Sequence, residues 1–409
     1  MNKTVRITLY ILSILAVAAV IAAFIFVREN RRTEDAMTVS TEETAQNEIP
    51  EGTEGESTTS EDTTIESERE DSVSVESESE DSVSGEAEGE PETENATEPQ
   101  KDTTILFTGD VLFANAFRSG YDANGINGVI SAELLEELNS ADILMINNEF
   151  PCSDRGAPME DKQYTFRCSP FYVTALNEMG VDLVSLANNH TLDYGKDALT
   201  DTFATLDEAG IRYGGAGDSV ERSQEIQIFE VNGKKFGFIA VSRVIPVVDW
   251  KSEYSLPGLF SCYDETRLIE LVEEAREICD FVAVYPHWGV EYQAEPVENQ
   301  TNIAQKCIKA GSDIIVGSHT HCLQSVEFLE GKPVFYSLGN FVFGQSIDKS
   351  VAVKVTVTGN GEVSCQVIPV YAQGGVTRLA EGETADHILR YLDEISQSAT
   401  IGVDGKVSP

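Results

Sequence analysis

Apolar positions follow three different regimes along the chain. From Leu9 to Val27 they are continuous, LYILSILAVAAVIAAFIFV, without a charge. From 33 to 102 they are sparse and no aromatic residue occurs. From Thr103 onward, short β-rich runs alternate with stretches of helical spacing. Thr104 to Thr108, Ile143 to Asn147, Leu183 to Leu186, Phe281 to Tyr285, Ile314 to Val316 and Val334 to Ser337 have strand length. Ser131 is placed to cap a helix carrying Leu134, Leu135 and Leu138. A second helix is expected from Asp264 to Cys279, with Leu268, Leu271, Val272, Ala275 and Ile278 on one face. Asn232-Gly233 and Asn360-Gly361 each separate two β-rich runs and predict hairpins. The order implies an α/β domain with sheet layers and helices outside.

Composition changes the picture at the amino terminus. The nineteen residues 9–27 just cross a bilayer core as a helix, and no small-x-small cleavage site or lipid-attachment cysteine follows, so residues 1–32 read as an uncleaved membrane anchor. Basic residues flank the span on both sides, Lys3 and Arg6 before it and Arg28, Arg31 and Arg32 after it, so charge alone does not orient it. A short inner tail with the rest exported is the ordinary signal-anchor arrangement. That places the protein in the cell membrane as a single-pass chain with its domain on the extracytoplasmic side.

Residues 33–102 hold 25 acidic and two basic side chains and the imperfect repeat ESEREDSVSV, ESESEDSVSG. Such a segment cannot bury enough apolar area to offset its ordering entropy and reads as a disordered, self-repelling linker. The whole chain of 409 residues carries a formal charge of -42, with 70 acidic against 28 basic residues, which excludes a nucleic-acid partner. Residues 103–375 are expected to form the folded domain, and 376–409 a carboxyl-terminal tail with a short helix. Seven cysteines form no CxxC pair, which argues against metal-thiolate chemistry. Cys152 and Cys168 bracket one loop and could close a disulfide in an exported domain.

The chemistry lies where rare polar residues fall. Of five histidines, His190, His287, His319 and His321 stand at or just past the ends of expected strands. The same ends carry Asp110, Glu149, Asn188, Asn189, Glu291 and Asn340. Ligands collect outside the carboxyl ends of strands in open α/β sheets, so these segments can converge on one pocket. In an extended segment His319 and His321 would project to the same side. Asp, Glu, Asn and His without Cys suit a divalent cation such as Mn, Fe or Zn.

The ordered motifs TGDV, NNEFP, LANNHTLDYG, YPHWGVEY, GSHTH and YSLGNFVF resemble those of the CapA-type poly-γ-glutamate capsule biosynthesis proteins, a family related to calcineurin-like metallophosphatases. The resemblance covers roughly Thr103 to Tyr371 and implies a metallophosphatase-like four-layer α-β-β-α sandwich. It implies metal ligands at Asp110, Glu149, Asn189, His287, His319 and His321, with Glu149 in the bridging place usually held by Asp. It gives His190 the role of protonating a leaving group and Arg167 that of an anion clamp. Asn188, Glu291 and Asn340 are further candidates for substrate contact.

Phosphatases of this kind begin with Asp-x-His, whereas Leu112 stands here two residues after Asp110 and cannot ligate. One tightly held metal is therefore expected, with a second bound more weakly. The implied role is synthesis, export or attachment of an anionic polymer such as poly-γ-glutamate, alongside other capsule-synthesis membrane subunits. A metal-dependent phosphoesterase with a non-capsule substrate and a non-catalytic surface scaffold are the alternatives. No G-x-x-x-x-G-K-[ST] occurs, so the chain is not itself a P-loop ATP-dependent ligase.

Overall fold

The computed structural model describes residues 101–344 and 346–409. The span at 9–27 and nearly all of the acidic segment lie outside the described residues. Among the described residues no helix is long and apolar enough to cross a membrane.

Two sheets pack face to face. The first runs Thr400–Ile401, Lys406–Ser408, Val363–Gln373, Ile347–Val357, Thr103–Val111, Ile143–Asn148, Leu183–Ser185, Arg212–Gly214, with Asn340–Val342 paired to the end of Thr103–Val111. The second runs Val326–Leu329, Lys332–Phe335, Ile314–Val316, Phe281–His287, Lys234–Ser242, Gln227–Val231. Period-two alternation sorts each strand's side chains between layers. Ile105 and Phe107 enter the core shared by the sheets with Met145, Phe238, Phe281, Tyr285 and Ile314. Leu106, Leu144 and Ile146 face the opposite way, toward the helix-borne Phe117, Leu134, Leu138 and Leu199. On the outer face of the second sheet Val282, Val284 and Ile315 meet Leu268, Leu271 and Val272. The result is helices, sheet, sheet, helices, as expected.

Local expectations are met with shifted ends. Ser131 Oγ accepts from Leu134 N at the start of Ala132–Asn139. The helix expected from Asp264 to Cys279 spans Thr266–Ile278, and Ile278 is exposed instead of lying on its buried face. Asn232 and Gly233 turn the first hairpin with φ of 50° and 75°, the left-handed pair that two-residue hairpins require.

The carboxyl-terminal residues correct the domain boundary. Instead of a tail from 376, strand Val376–Leu379 pairs with Val363–Gln373, and the helix Gly382–Ile395 seals the core between the sheets with Ile388, Leu389 and Leu392. Helical spacing puts these three on one stripe, and a stripe of that kind must be covered.

Thr103–Val111 lies inside the first sheet and is buried almost throughout. Its amino end is held by the two hairpins: Asn232 Nδ2 donates to Asp102 O at 3.0 Å, and Gly359 N donates to Asp102 Oδ1 at 3.0 Å. Its carboxyl end carries Asp110 into the buried cluster described next. There Gly109 passes so close to Gly339 that a Cβ would stand 1.8 Å from the Gly339 carbonyl oxygen, so only glycine fits.

Candidate metal and proton-transfer site

The carboxyl ends of Thr103–Val111 and Ile143–Asn148 from one sheet meet those of Phe281–His287 and Ile314–Val316 from the other. Tyr285 Oη donates to Thr108 O at 2.6 Å and joins the sheets beneath this point. Asp110 and Glu149 are fully buried there, His287 likewise, and His319 nearly so. Donor atoms of Asp110, Glu149 and His321 all lie within 4.8 Å of one another. His287 Nε2 lies 2.9 Å from Asn189 Oδ1 and 3.4 Å from Glu149 Oε1. Glu149 therefore touches both groups.

His319 and His321 do not come together by strand alternation. Both sit in a turn past Ile314–Val316 with φ of 98° and 57°, a region β-carbon-bearing residues rarely adopt. Non-glycine residues there gather at functional sites, where surrounding contacts hold the strain. His319 N donates to Asp110 at 3.3 Å, which fixes the turn against the first strand.

Asn147 is one of the site residues that carry no signal in the sequence. Its Nδ2 donates to Asp110 Oδ1 at 2.8 Å and Glu149 Oε1 at 3.2 Å and stands 3.3 Å from His287 Nδ1. Asn188 Nδ2 holds Asn147 Oδ1 at 3.0 Å, while Asn188 Oδ1 accepts from His190 N. Asn188, expected to meet substrate, is fully buried and spends its amide on this framework. Asn340, given the same role, has Oδ1 2.8 Å from His321 Nδ1 and orients that ring. Glu291 is exposed beside Tyr292, whose ring centroid is 5.8 Å from that of His321. Leu112 is buried in the apolar cluster with Phe113 and Phe150.

A second constellation lies next to the first. His190 Nδ1 is 2.7 Å from Asp193 Oδ2, and the ring of Phe166 packs against the imidazole, tilted by 38° with centroids 4.3 Å apart. Lys162 Nζ donates to Asp193 Oδ1 and Asn189 O and lies 3.1 Å from His190 Nδ1. Neither Lys162 nor Asp193 was singled out in the sequence, since both sit in stretches without periodicity. Arg167 lies over the Tyr194 ring and donates to Arg155 O at 2.8 Å. Arg243 follows the strand Lys234–Ser242, donates its N to His287 O, and stacks on Tyr263.

The buried donors and their charges have the chemistry that binds a cation. Among the described residues, Glu149 Oε2 and His319 Nδ1 are buried without a hydrogen-bond partner, and unpartnered buried polar atoms are rare enough to demand a cause. Burial, with the charge of Asp110 added, raises the Glu149 carboxyl well above its usual range. Burial lowers His287 well below its ordinary value and His319 to about 4. Burial also opposes protonation of His321, but its hydrogen bond to Asp110 and the charge of Glu149 outweigh that and push it up to about 10. The donors are nitrogen and oxygen only, and Ser318 Oγ stands 3.0 Å from His287 Nδ1, where a hydrogen bond orients the ring and leaves Nε2 to ligate. These residues fit a divalent cation.

A pH dependence follows. His321 carries a proton at neutral pH that a cation must displace, so affinity for Mn²⁺ or Zn²⁺ should climb as pH rises from about 6 to 9, with proton release. Calorimetry in buffers of different ionisation heat checks this, and buffer-independent heats would contradict it. In the metal-free chain His319 has a folded value below its unfolded one, so its contribution to stability is lost as pH falls from 6.5 toward 4. His321 has the opposite sign, and its contribution is lost as pH climbs from 6.5 through about 10.

Comparisons with known proteins agree with the sequence resemblance. The family described as bacterial capsule synthesis protein PGA_cap matches residues 104–345. The PGA biosynthesis protein CapA of Bacillus subtilis (strain 168) is 28% identical over 313 residues, 74% of this chain and 80% of that protein. The capsule biosynthesis protein CapA of Bacillus anthracis is 29% identical over 282 residues, 66% and 68%. Among solved structures, the Thermus thermophilus sulfate thiohydrolase SoxB in complex with glycerol is matched over 67% of this chain and 57% of its own, at 14% identity and a TM-score of 0.40. A likeness that distant carries no inference about this chain.

Proposed function

The chain belongs to the bacterial capsule synthesis PGA_cap family, and from that membership we propose that it acts at the cell surface on an anionic capsule polymer such as poly-γ-glutamate, through a divalent cation held by Glu149, Asn189, His287 and His319 with Asp110 and His321 beside them. The observation that carries this reading is the buried meeting of two carboxylates and three imidazoles in which Glu149 Oε2 and His319 Nδ1 have no partner among the described residues. The names of the two Bacillus relatives support the polymer, and the apolar run 9–27 supports a membrane-anchored, exported domain.

Mn, Fe and Zn all accept this donor set. When bound, the cation supplies charge neutralisation and polarisation of a substrate oxygen. The chain's own groups do the rest. Asp193 fixes His190 through Nδ1, leaving Nε2 to hold or deliver a proton to a leaving group. Lys162, Arg167 and Arg243 bring positive charge to a domain that is otherwise acidic, which suits carboxylates or phosphates approaching the pocket.

The test is metal analysis of the purified chain with a screen of γ-glutamyl and phosphoester substrates and, in cells, the amount of surface polymer. A metal-free chain with unaltered polymer after its deletion would end the proposal, and turnover of phosphoesters alone would move it to a non-capsule substrate. For topology, protease added to intact cells should cut within 33–102 and release a soluble domain, whereas protection of that segment in cells with a permeable wall would reverse the orientation.

A further inference from the structure

The loop from 152 to 168 brings Lys162 and Phe166 against His190 and Asp193, and its two feet are paired. Cys152 and Cys168 face each other as an isolated parallel β-bridge. Ser153 N donates to Cys168 O at 2.9 Å and Cys168 N to Pro151 O at 3.1 Å. Both side chains are buried in the same apolar cluster, each 1% exposed. Bridged backbones stand about 4.8 Å apart, inside the Cα separation of roughly 4.4 to 6.8 Å that a disulfide spans. In the structure both are thiols.

We propose that Cys152 and Cys168 form a disulfide that closes this loop and holds Lys162 and Phe166 against Asp193 and His190. The proposal rests on the reading that the domain is exported, since that is where such bonds persist. Each thiol loses a proton and an electron, the sulfurs join, and a disulfide oxidant of the exported compartment is reduced to two thiols. Burial pushes the Cys168 thiol up to about 12, with the Cys152 thiol higher still, so neither reacts readily once packed. The bond therefore forms while the chain folds.

Its place gives it a consequence for the site. Cys152 follows Glu149 by three residues and its N donates to Thr202 Oγ1 at 2.8 Å, which ties that foot to the helix Gly195–Ala209. Cys168 directly follows Arg167. Between the feet, Phe166 N donates to Asp193 Oδ2 at 2.7 Å and Lys162 reaches Asp193 and Asn189 O. Joining the feet shortens the free length over which these contacts can be lost.

The experiment uses the full chain extracted from membranes in detergent without reductant, alkylated on denaturation, and digested with trypsin. Cleavage after Arg155, Lys162 and Arg167 separates the two cysteines, so a bond appears as a linked peptide pair, lighter by two hydrogens than its halves. The linked pair is expected. Trypsin cutting at Lys162 in the native chain should become about tenfold faster in Cys168→Ser, as local opening grows. Alkylated Cys152 and Cys168 in a chain whose domain is cut by protease outside intact cells would overturn the proposal. If the domain proves protected in cells, it is the export reading that fails. The pairing is then decided by refolding the reduced chain with glutathione disulfide, where the linked peptides are again expected and their absence overturns it.

Discussion

Glu149→Gln should weaken divalent-metal binding by about 100-fold or more and reverse sign in its effect on stability according to whether metal is present. Glu149 touches both ligand groups, so no neighbouring side chain can stand in for it. At a fixed excess of metal, a 100-fold loss of affinity removes about 2.7 kcal/mol of stabilisation. Without metal the same carboxylate is a buried charge facing Asp110, and its raised pKa means that ionising it at neutral pH opposes folding. A neutral amide of the same shape removes that cost. The metal-loaded variant should therefore melt below the parent and the chelator-treated variant at or above it. His319→Ala should lose metal as well, without the gain in the metal-free state, because its imidazole is already held neutral there. A Glu149→Gln chain that keeps its metal and its melting temperature would show that Glu149 is not a ligand.

His190→Ala should do the reverse, keeping metal within about twofold while turnover or polymer processing falls by roughly 10² to 10⁴. Asp193→Asn should fall by a comparable factor with the imidazole still present, since an amide cannot enforce the same tautomer on Nδ1. The loss is expected in kcat more than in KM, and added imidazole should restore part of the activity of His190→Ala. If His190→Ala and His319→Ala shed metal equally, then His190 is a ligand and the proton comes from elsewhere. The distinction is sharp because Asn189 and His190 are adjacent in sequence but their side chains engage different partners, His287 for one and Asp193 for the other.

Much of this arrangement was legible in the residues. Strands such as Ile143–Asn148 and Phe281–His287 alternate between two cores, and both faces must be apolar, so they stand out as short continuous apolar runs. The histidines and carboxylates were legible because charged groups seldom follow such runs without a use. Asn147 was not, because an amide inside a strand carries no periodic signal and its role exists only once two sheets close over it. Lys162 and Asp193 were hidden for a related reason: they meet across 31 residues through a loop whose path depends on its feet at Cys152 and Cys168. The final helix carries a full apolar stripe, Ala385, Ile388, Leu389, Leu392 and Ile395, but the core that this stripe covers exists only once the two sheets have closed, so its place in the domain is not legible from its own residues. The approach of His319 and His321 was foreseen for the wrong backbone, a strand where the chain makes a left-handed turn.

The position of Asp102 separates the amino-terminal junction from the site. The first strand is gripped at its amino end by the two hairpins and delivers Asp110 to the buried cluster at its other end, roughly 25 Å away at about 3.3 Å per residue. Whatever precedes residue 101 is thus joined at the end of the strand opposite Asp110, so a change made to the chain before that point can reach the cluster only through the strand itself.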